Sequence, residues 1–154
     1  MEIRIAKEQD YAQLAEMKWL HCEEDDVDYG ENNLINANKD KFITEFIEFL
    51  FEHKDYKIFV ACDESIITSA MFIYLIPKTP KPNRDSRYIA YLTNVYTNKH
   101  FRNKSVGTQL LNYVKMYLSQ NGCELMFAWP SENSVNWYLK NGFSSDNEIF
   151  ECKL

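Results

Sequence analysis

The 154-residue chain contains only four glycines and four prolines, and no low-complexity stretch or linker that would divide it. No G-x-x-x-x-G-K-[ST] and no G-x-G-x-x-G occurs, so neither a P-loop nor a Rossmann dinucleotide turn is supported. Cys22, Cys62, Cys123 and Cys152 are widely scattered, with no C-x-x-C pair and no Cys/His ligand spacing, which argues against a zinc site or a disulfide framework and for reduced, partly buried thiols. No apolar run approaches the ~20 residues of a membrane span, and the opening MEIRIAKEQD lacks the apolar core of a signal peptide. Basic charge is also short: 17 Lys and Arg against 23 Asp and Glu give a net charge of −6, a poor match to nucleic acid and a natural one to a cationic small substrate. A cytoplasmic protein with no metal, no nucleic-acid partner and no membrane partner is expected.

Hydrophobic residues are abundant, 45% of the chain with 15% aromatic, enough for one ordinary globular domain to bury a core without staples. Ile3 and Ile5 alternate with Arg4 as a short strand. Asp10 with Gln13 gives a helix start signal, and Tyr11, Leu14, Met17 and Leu20 continue that helix into Glu23-Glu24-Asp25-Asp26-Val27-Asp28, expected to be its frayed end or a loop. Phe42, Ile43, Phe46, Ile47 and Leu50 mark a second helix over 40–53. Strands over 56–62 and 66–76 flank the turn Asp63-Glu64-Ser65 as an antiparallel hairpin, and the proline-rich 77–87 reads as an exposed connection. Beyond it come a strand over 88–97, a helix ending near Asn121-Gly122, a strand over 124–129, a helix over 131–141 stopped by Gly142, and a last strand over 149–153. The class is α/β.

The most informative stretch is Thr93 to Leu111, a strand, a tight basic turn and a helix start. A helix N-terminus presents unpaired N–H groups and the positive end of the macrodipole, and Arg102 and Lys104 add two cations beside it. The chemistry is that of an anion site.

Arg102-x-x-Ser105-x-Gly107 after a strand and before an apolar helix resembles the R/Q-x-x-G-x-G/A loop of the GNAT superfamily of N-acetyltransferases. The later segment, Trp129-Pro130-Ser131-Glu132 through Trp137-Tyr138-Leu139-Lys140-Asn141-Gly142-Phe143, is similar to that family's helix ending in Y-x-x-x-G-F. Residue-level likeness covers the third of the chain from Thr93 to Phe143; elsewhere the order of elements agrees. The resemblance implies a single domain over 1–154 with a mixed, mostly antiparallel sheet between helices, its fourth and fifth strands parallel and splayed into a coenzyme cleft. Asn103 and Ser105 stand where the family usually has glycine, and asparagine tolerates positive φ better than serine.

By the same resemblance, acetyl-CoA is the cosubstrate. Backbone groups of Val95, Tyr96 and Thr97 meet the pantetheine arm, and Arg102, Asn103, Lys104, Ser105, Val106, Gly107 and Thr108 hold the pyrophosphate. Ser131 occupies a pantetheine-contacting position and reads equally well as a helix N-cap. Tyr138 occupies the position of the tyrosine that protonates the departing thiolate; as one of ten tyrosines it is also a candidate for simple packing. Trp129 and Trp137 are either cleft or core.

Many relatives carry a glutamate base on the fourth strand, but Tyr91-Leu92-Thr93-Asn94-Val95 has no carboxylate, so no base is named. The acidic run 23–28 reads first as a solvated face and second as an attractor of a cationic amine. His21, His53 and His100 fall in no ligand or triad pattern and are taken as surface or core histidines, His100 adding charge beside the phosphate loop. The expected activity is direct acetyl transfer from acetyl-CoA to a primary amine in a ternary complex; the alternative is a GNAT-fold module that binds CoA or acyl-CoA without turnover. The apolar second helix is expected either to cover the sheet or to pair with a second copy as a homodimer.

Overall fold

The computed structural model describes residues 1–83, 87–146 and 149–154. Strands β2 (Tyr56–Asp63), β3 (Ile66–Pro77) and β4 (Tyr88–Thr97) form an antiparallel meander; β1 (Glu2–Ile5) pairs antiparallel with β2, and β5 (Cys123–Phe127) lies parallel to β4. The sheet order is β1-β2-β3-β4-β5. β2 and β3 are apolar at nearly every position because both faces of the sheet are covered, which removes the usual alternation. Phe59, Ala61, Met71 and Ile73 point to one face, against Val106, Leu110, Leu111 and Val114 of α3 (Val106–Gln120). Ile58, Val60, Ala70 and Phe72 point to the other, against Tyr11, Leu14 and Met17 of α1 (Tyr11–Tyr29) and Leu50 of α2 (Lys39–Glu52). Helix α2 thus covers the sheet, through Leu50 with Phe46 and Ile47.

Two irregularities in β4 open one side of the sheet. Thr93 pairs with Phe72 and Tyr96 with Ala70, so Asn94 and Val95 together oppose Met71, and Asn94 takes φ 46°. Such a bulge bends the strand and increases its twist. On the other side, the ladder to β5 runs from Tyr88↔Cys123 only to Tyr91↔Phe127. Beyond it, residues 92–97 of β4 have no strand partner on that side among the described residues, and the two parallel strands part as the sequence resemblance implies.

The structure differs from the expected elements at four places. The acidic run is neither loop nor frayed end: α1 continues to Tyr29 and stops at Gly30, whose φ of 65° and N–H bond to the Asp26 carbonyl close the helix. Several of its charges are partnered. Glu23 accepts the Trp19 indole N–H at 3.0 Å, and Asp26 accepts the backbone N–H groups of Asn33 at 2.6 Å and Leu34 at 2.9 Å. The start signal also works differently. Asp10 binds the Arg4 guanidinium at 2.7 and 3.0 Å and the Lys7 N–H at 2.6 Å, while Gln13 reaches the β2–β3 turn, bonding Ser65 O and Ile67 N.

The expected last strand over 149–153 does not form. Ile149 and Phe150 are adjacent, so an extended chain would point them to opposite faces and give no apolar side to bury; both are exposed, Phe150 at 93%. Residues 147–148 and, in the proline-rich connection, 84–86 lie outside the described residues. The helix expected over 131–141 is a 3-10 turn, Glu132–Ser134, followed by α4 (Val135–Lys140) and ended by Gly142 at φ 83°.

Candidate active site

The gap between β4 and β5 opens into a cleft of about 600 Å³. Tyr91 to Thr97 form one wall, the loop before α3 forms the floor, Trp129, Ser131, Trp137 and Tyr138 form the second wall, and the C-terminal half of α1 closes the end. At the apex, where pairing stops, Tyr91 stacks on Phe127 with centroids 5.3 Å apart, and both meet Trp129 edge-on. Trp129 and Trp137, cleft or core by sequence, both line the cleft, and Trp129 is 60% exposed.

The loop before α3 has the backbone of a glycine-rich turn without the glycines. Asn103 and Ser105 both sit in the left-handed region at φ 60°. Ser105 makes no side-chain cap bond, and its carbonyl accepts the first intrahelical N–H, from Gln109 at 2.9 Å. The N–H groups of residues 106–108 precede that bond and lie at the positive end of the helix dipole. Gly107 packs closely against β4: a Cβ there would stand 3.1 Å from Thr97 Oγ1, so that side chain would have to give by a few tenths of an ångström, and in ordinary contact at 3.7 Å with the Trp137 ring. An anion with an extended, amide-rich tail fits both halves, the N–H groups of the turn and the unpaired edge of β4.

Ten of the twelve expected site residues line this cleft: Val95, Tyr96, Thr97, Arg102, Asn103, Ser105, Val106, Gly107, Ser131 and Tyr138. Lys104 and Thr108 are not among the lining residues, and the Lys104 ammonium lies over the Phe101 ring at 5.4 Å. Ser131 occupies the N-cap position of the 3-10 turn without a side-chain cap bond; its hydroxyl donates to Ser134 Oγ at 3.0 Å. Tyr138 is both packed and cleft-lining. Its ring is 7% exposed, set edge-on between Trp137 and Phe143, and burial together with the nearby Tyr91 pushes its pKa up to about 12.

Arg102 is held in place. Its Nε donates to the Thr97 carbonyl at 2.8 Å and its NH2 group to Glu24 at 2.6 Å, while the Tyr96 hydroxyl donates to the same carboxylate at 2.6 Å. Glu24 is 14% exposed; burial works against its charge, but the bonds from Tyr96 and Arg102 outweigh it and hold the carboxyl below its usual range. Burial and the bonded Glu24 together raise the Tyr96 phenol. A second hollow of about 620 Å³ shares Glu24 and Tyr96 with the cleft and is lined also by Leu20, Val27, Leu34, Lys99 and His100.

The end wall holds Asp25 and Asp28, which the sequence offers only as the second reading of the acidic run, and Lys18, His21, Tyr29 and Glu31, which it does not place in the site; all line the cleft beside Glu24. The available signal is helical spacing: once Gly30 is read as the stop, 18, 21, 25 and 28 fall on one face. Among the described residues no group of three or more His, Cys, Asp or Glu is placed to hold a metal ion, and no helix is long and apolar enough to cross a membrane.

Residues 54–145 match the family model described as acetyltransferase (GNAT) domain. The chain belongs to the GNAT acetyltransferase family. That match spans the hairpin, the splayed strands, the turn before α3, and α4. A search of curated proteins finds no match. Among solved structures, a predicted acetyltransferase with acetyl-CoA from Clostridium acetobutylicum is similar at TM-score 0.74 and 20% identity, over 99% of this chain and 95% of that one. A Trypanosoma brucei acetyltransferase aligns at TM-score 0.69 and 17% identity, covering 99% of each chain. A GCN5-related N-acetyltransferase from Ralstonia eutropha aligns at TM-score 0.72 and 15% identity, over 99% and 97%. At these identities the likeness is one of fold, and it is the GNAT fold with its parting fourth and fifth strands.

Proposed function

We propose that this GNAT protein transfers the acetyl group of acetyl-CoA to a primary amine of a small molecule or peptide, by direct attack in a ternary complex within one domain over 1–154. The observation that carries the reading is the continuity of the cleft. The unpaired edge of β4 leads from the left-handed turn at Asn103 and Ser105 to Tyr138 on one side and to the acidic end of α1 on the other. The backbone of Val95, Tyr96 and Thr97 pairs with the pantetheine amides, a strand-addition contact that also places an N–H against the thioester oxygen. The turn of residues 102–108 takes the pyrophosphate, chiefly through backbone N–H groups, because the Arg102 guanidinium is already bound to Glu24. Ser131 borders the pantetheine channel.

Tyr138 donates its phenolic proton to the leaving thiolate. A free phenol near pKa 10 and a free thiol near 8.5 are close to balanced. The burial that weakens Tyr138 as an acid also raises the proton affinity of a thiolate in the same cleft, so the transfer stays feasible. With no metal and no activated Cys or Ser in the scheme, the amine itself is the nucleophile. Asp25, Asp28 and Glu31 give the acceptor end a negative wall suited to a protonated amine. The four free cysteines suit a reducing compartment, and we place the protein in the cytoplasm.

The test is thermal unfolding with and without saturating acetyl-CoA, followed by release of free thiol on adding primary amines. Binding at a hundred times Kd adds about 2.7 kcal/mol, or roughly 5 to 11 °C. Stabilisation with amine-dependent thiol release is the expected result. Stabilisation without release from any amine would leave a CoA-binding module, and no stabilisation would refute the cleft assignment.

A further inference from the structure

Acetyl transfer requires an unprotonated nitrogen, and an alkylammonium enters the cleft charged. The open part of β4, Leu92 to Thr97, carries no carboxylate to remove that proton, nor does Tyr91 before it. The other ionisable groups lining the acceptor end sort by their surroundings. Glu24 is engaged by Tyr96 and Arg102, Lys18 is itself a cation, and Asp28 and Glu31 are exposed to solvent. His21 and Asp25 differ from these. They stand one turn apart on α1 and are three-quarters buried, with Nε2 3.6 Å from Asp25 Oδ2. That is too long for a direct hydrogen bond and close enough for strong charge coupling. The imidazole lies on the Tyr96 ring at 5.2 Å between centroids, which fixes it against the bulged strand. Its Nδ1 is sealed from solvent and has no hydrogen-bond partner among the described residues, so the ring exchanges protons through Nε2.

We propose that His21 is the general base of the acetyl transfer, taking the ammonium proton at Nε2 through one water, and that Asp25 is the positioning residue that holds the resulting imidazolium. The inference rests on the N-acetyltransferase reading above. The ammonium N–H bond breaks, its electron pair stays on nitrogen, and the proton joins His21 Nε2. The neutral nitrogen attacks the thioester carbonyl, the C–N bond forms and the C–S bond breaks. The thiolate takes the Tyr138 proton, and the second proton shed by nitrogen restores the phenol through solvent. The net products are the acetamide, free CoA thiol and one proton, which His21 releases to water.

The environment is suited to the task. Burial lowers the His21 pKa, Lys18 and Arg102 push it the same way, and Asp25 and Glu24 oppose them; Tyr96, from β4, is the remaining titratable group against the ring. Burial raises the Asp25 carboxyl. The two groups move toward each other and titrate as a pair, with His21 neutral and ready to accept at neutral pH.

The experiment is the pH dependence of kcat/KM with butylamine, a diaminoalkane and a lysine-bearing peptide, for wild type, His21→Gln and Asp25→Asn. For wild type the rate should rise with pH through an inflection below the ordinary imidazole value of about 6.5. His21→Gln should lose that inflection and about 10²-fold in kcat/KM, while keeping the acetyl-CoA thermal shift. Asp25→Asn should keep the inflection but move it to lower pH, since the counter-charge is gone. If His21→Gln fails to fold, the Asp25→Asn shift decides the matter alone. A wild type that acetylates none of the three amines overturns both readings. A wild type that turns over, with either an unchanged profile in His21→Gln or no shift in Asp25→Asn, overturns the base and leaves the acetyltransferase standing.

Discussion

Ser105 is a non-glycine residue in the left-handed region of the turn before α3, with φ 60° and ψ 11°. For an L-residue that conformation costs roughly 1 to 2 kcal/mol, and no cap bond from its side chain offsets the cost. Ser105→Gly removes the strain and adds unfolded-state freedom worth about 0.4 to 1 kcal/mol in the opposite direction. The net expectation is a gain of about 0.8 kcal/mol, or roughly 2 to 3 °C in Tm for a chain of this size. Ser105→Ala is the control: it deletes the hydroxyl but keeps Cβ, so it should leave stability near that of wild type, whereas Ser105→Val should lose stability because a β-branched residue tolerates positive φ worst. Urea unfolding followed by far-UV circular dichroism reads all three, with midpoints compared at constant m. A glycine variant that is no more stable than the alanine variant would show that the turn is not strained at this residue.

The site and its supports give three other expected outcomes. Tyr138→Phe should cut kcat by about 10²-fold with acetyl-CoA affinity unchanged in calorimetric titration; equal loss of affinity would make Tyr138 a binding residue. Asp28→Asn should raise KM for a diaminoalkane about two- to fivefold, as expected for one partly screened charge, with kcat unchanged, whereas Asp26→Asn, which loses bonds to Asn33 and Leu34, should lower Tm instead. Asp10→Asn breaks the two-bond pairing with Arg4, whose side chain is 20% exposed, and should cost about 2 kcal/mol in urea unfolding, less than the 3 to 5 of a fully buried pair. The Arg4 bonds and the Lys7 N–H hold the Asp10 carboxyl below its ordinary value. Its contribution is therefore full above about pH 3.9, the unfolded value, and is lost as pH falls through the lower folded pKa; wild type and Asp10→Asn should converge in stability at that acid end.

Much of the molecule is legible in the sequence because local and tertiary preferences agree. The hairpin, the α3 stripe and the helix stop at Gly122 are each set by short-range chemistry that packing then reinforces. The splay of β4 from β5 is legible only through family likeness; nothing in the composition of 92–97 announces that its ladder ends at Tyr91. The acidic run misleads because charge density suggests solvent. The structure instead gives Glu23, Glu24 and Asp26 an indole, two backbone N–H groups, a phenol and a guanidinium as partners, up to 78 residues away in the chain. The same distance hides the end wall: His21, with Asp25 one turn on, gains meaning only when the bulged β4 brings Tyr96 against its ring. Gly30 is the one local clue, since a glycine after Tyr29 at φ 65° extends α1 far enough to present 21, 25 and 28 on one face.

The placement of tryptophan has a practical consequence. The chain has three: Trp129 and Trp137 border the cleft, while Trp19 lies apart, 9% exposed and set against Phe42 of α2. Replacing Trp19 by Phe leaves a tryptophan emission that originates wholly at the cleft walls. One indole is wet and the other wedged beside Gly107, so filling the cleft dries Trp129 and should shift its emission to the blue. The protein thereby carries its own optical gauge of occupancy, readable in a stopped-flow instrument without a label or a coupled assay, and before any acceptor has been identified.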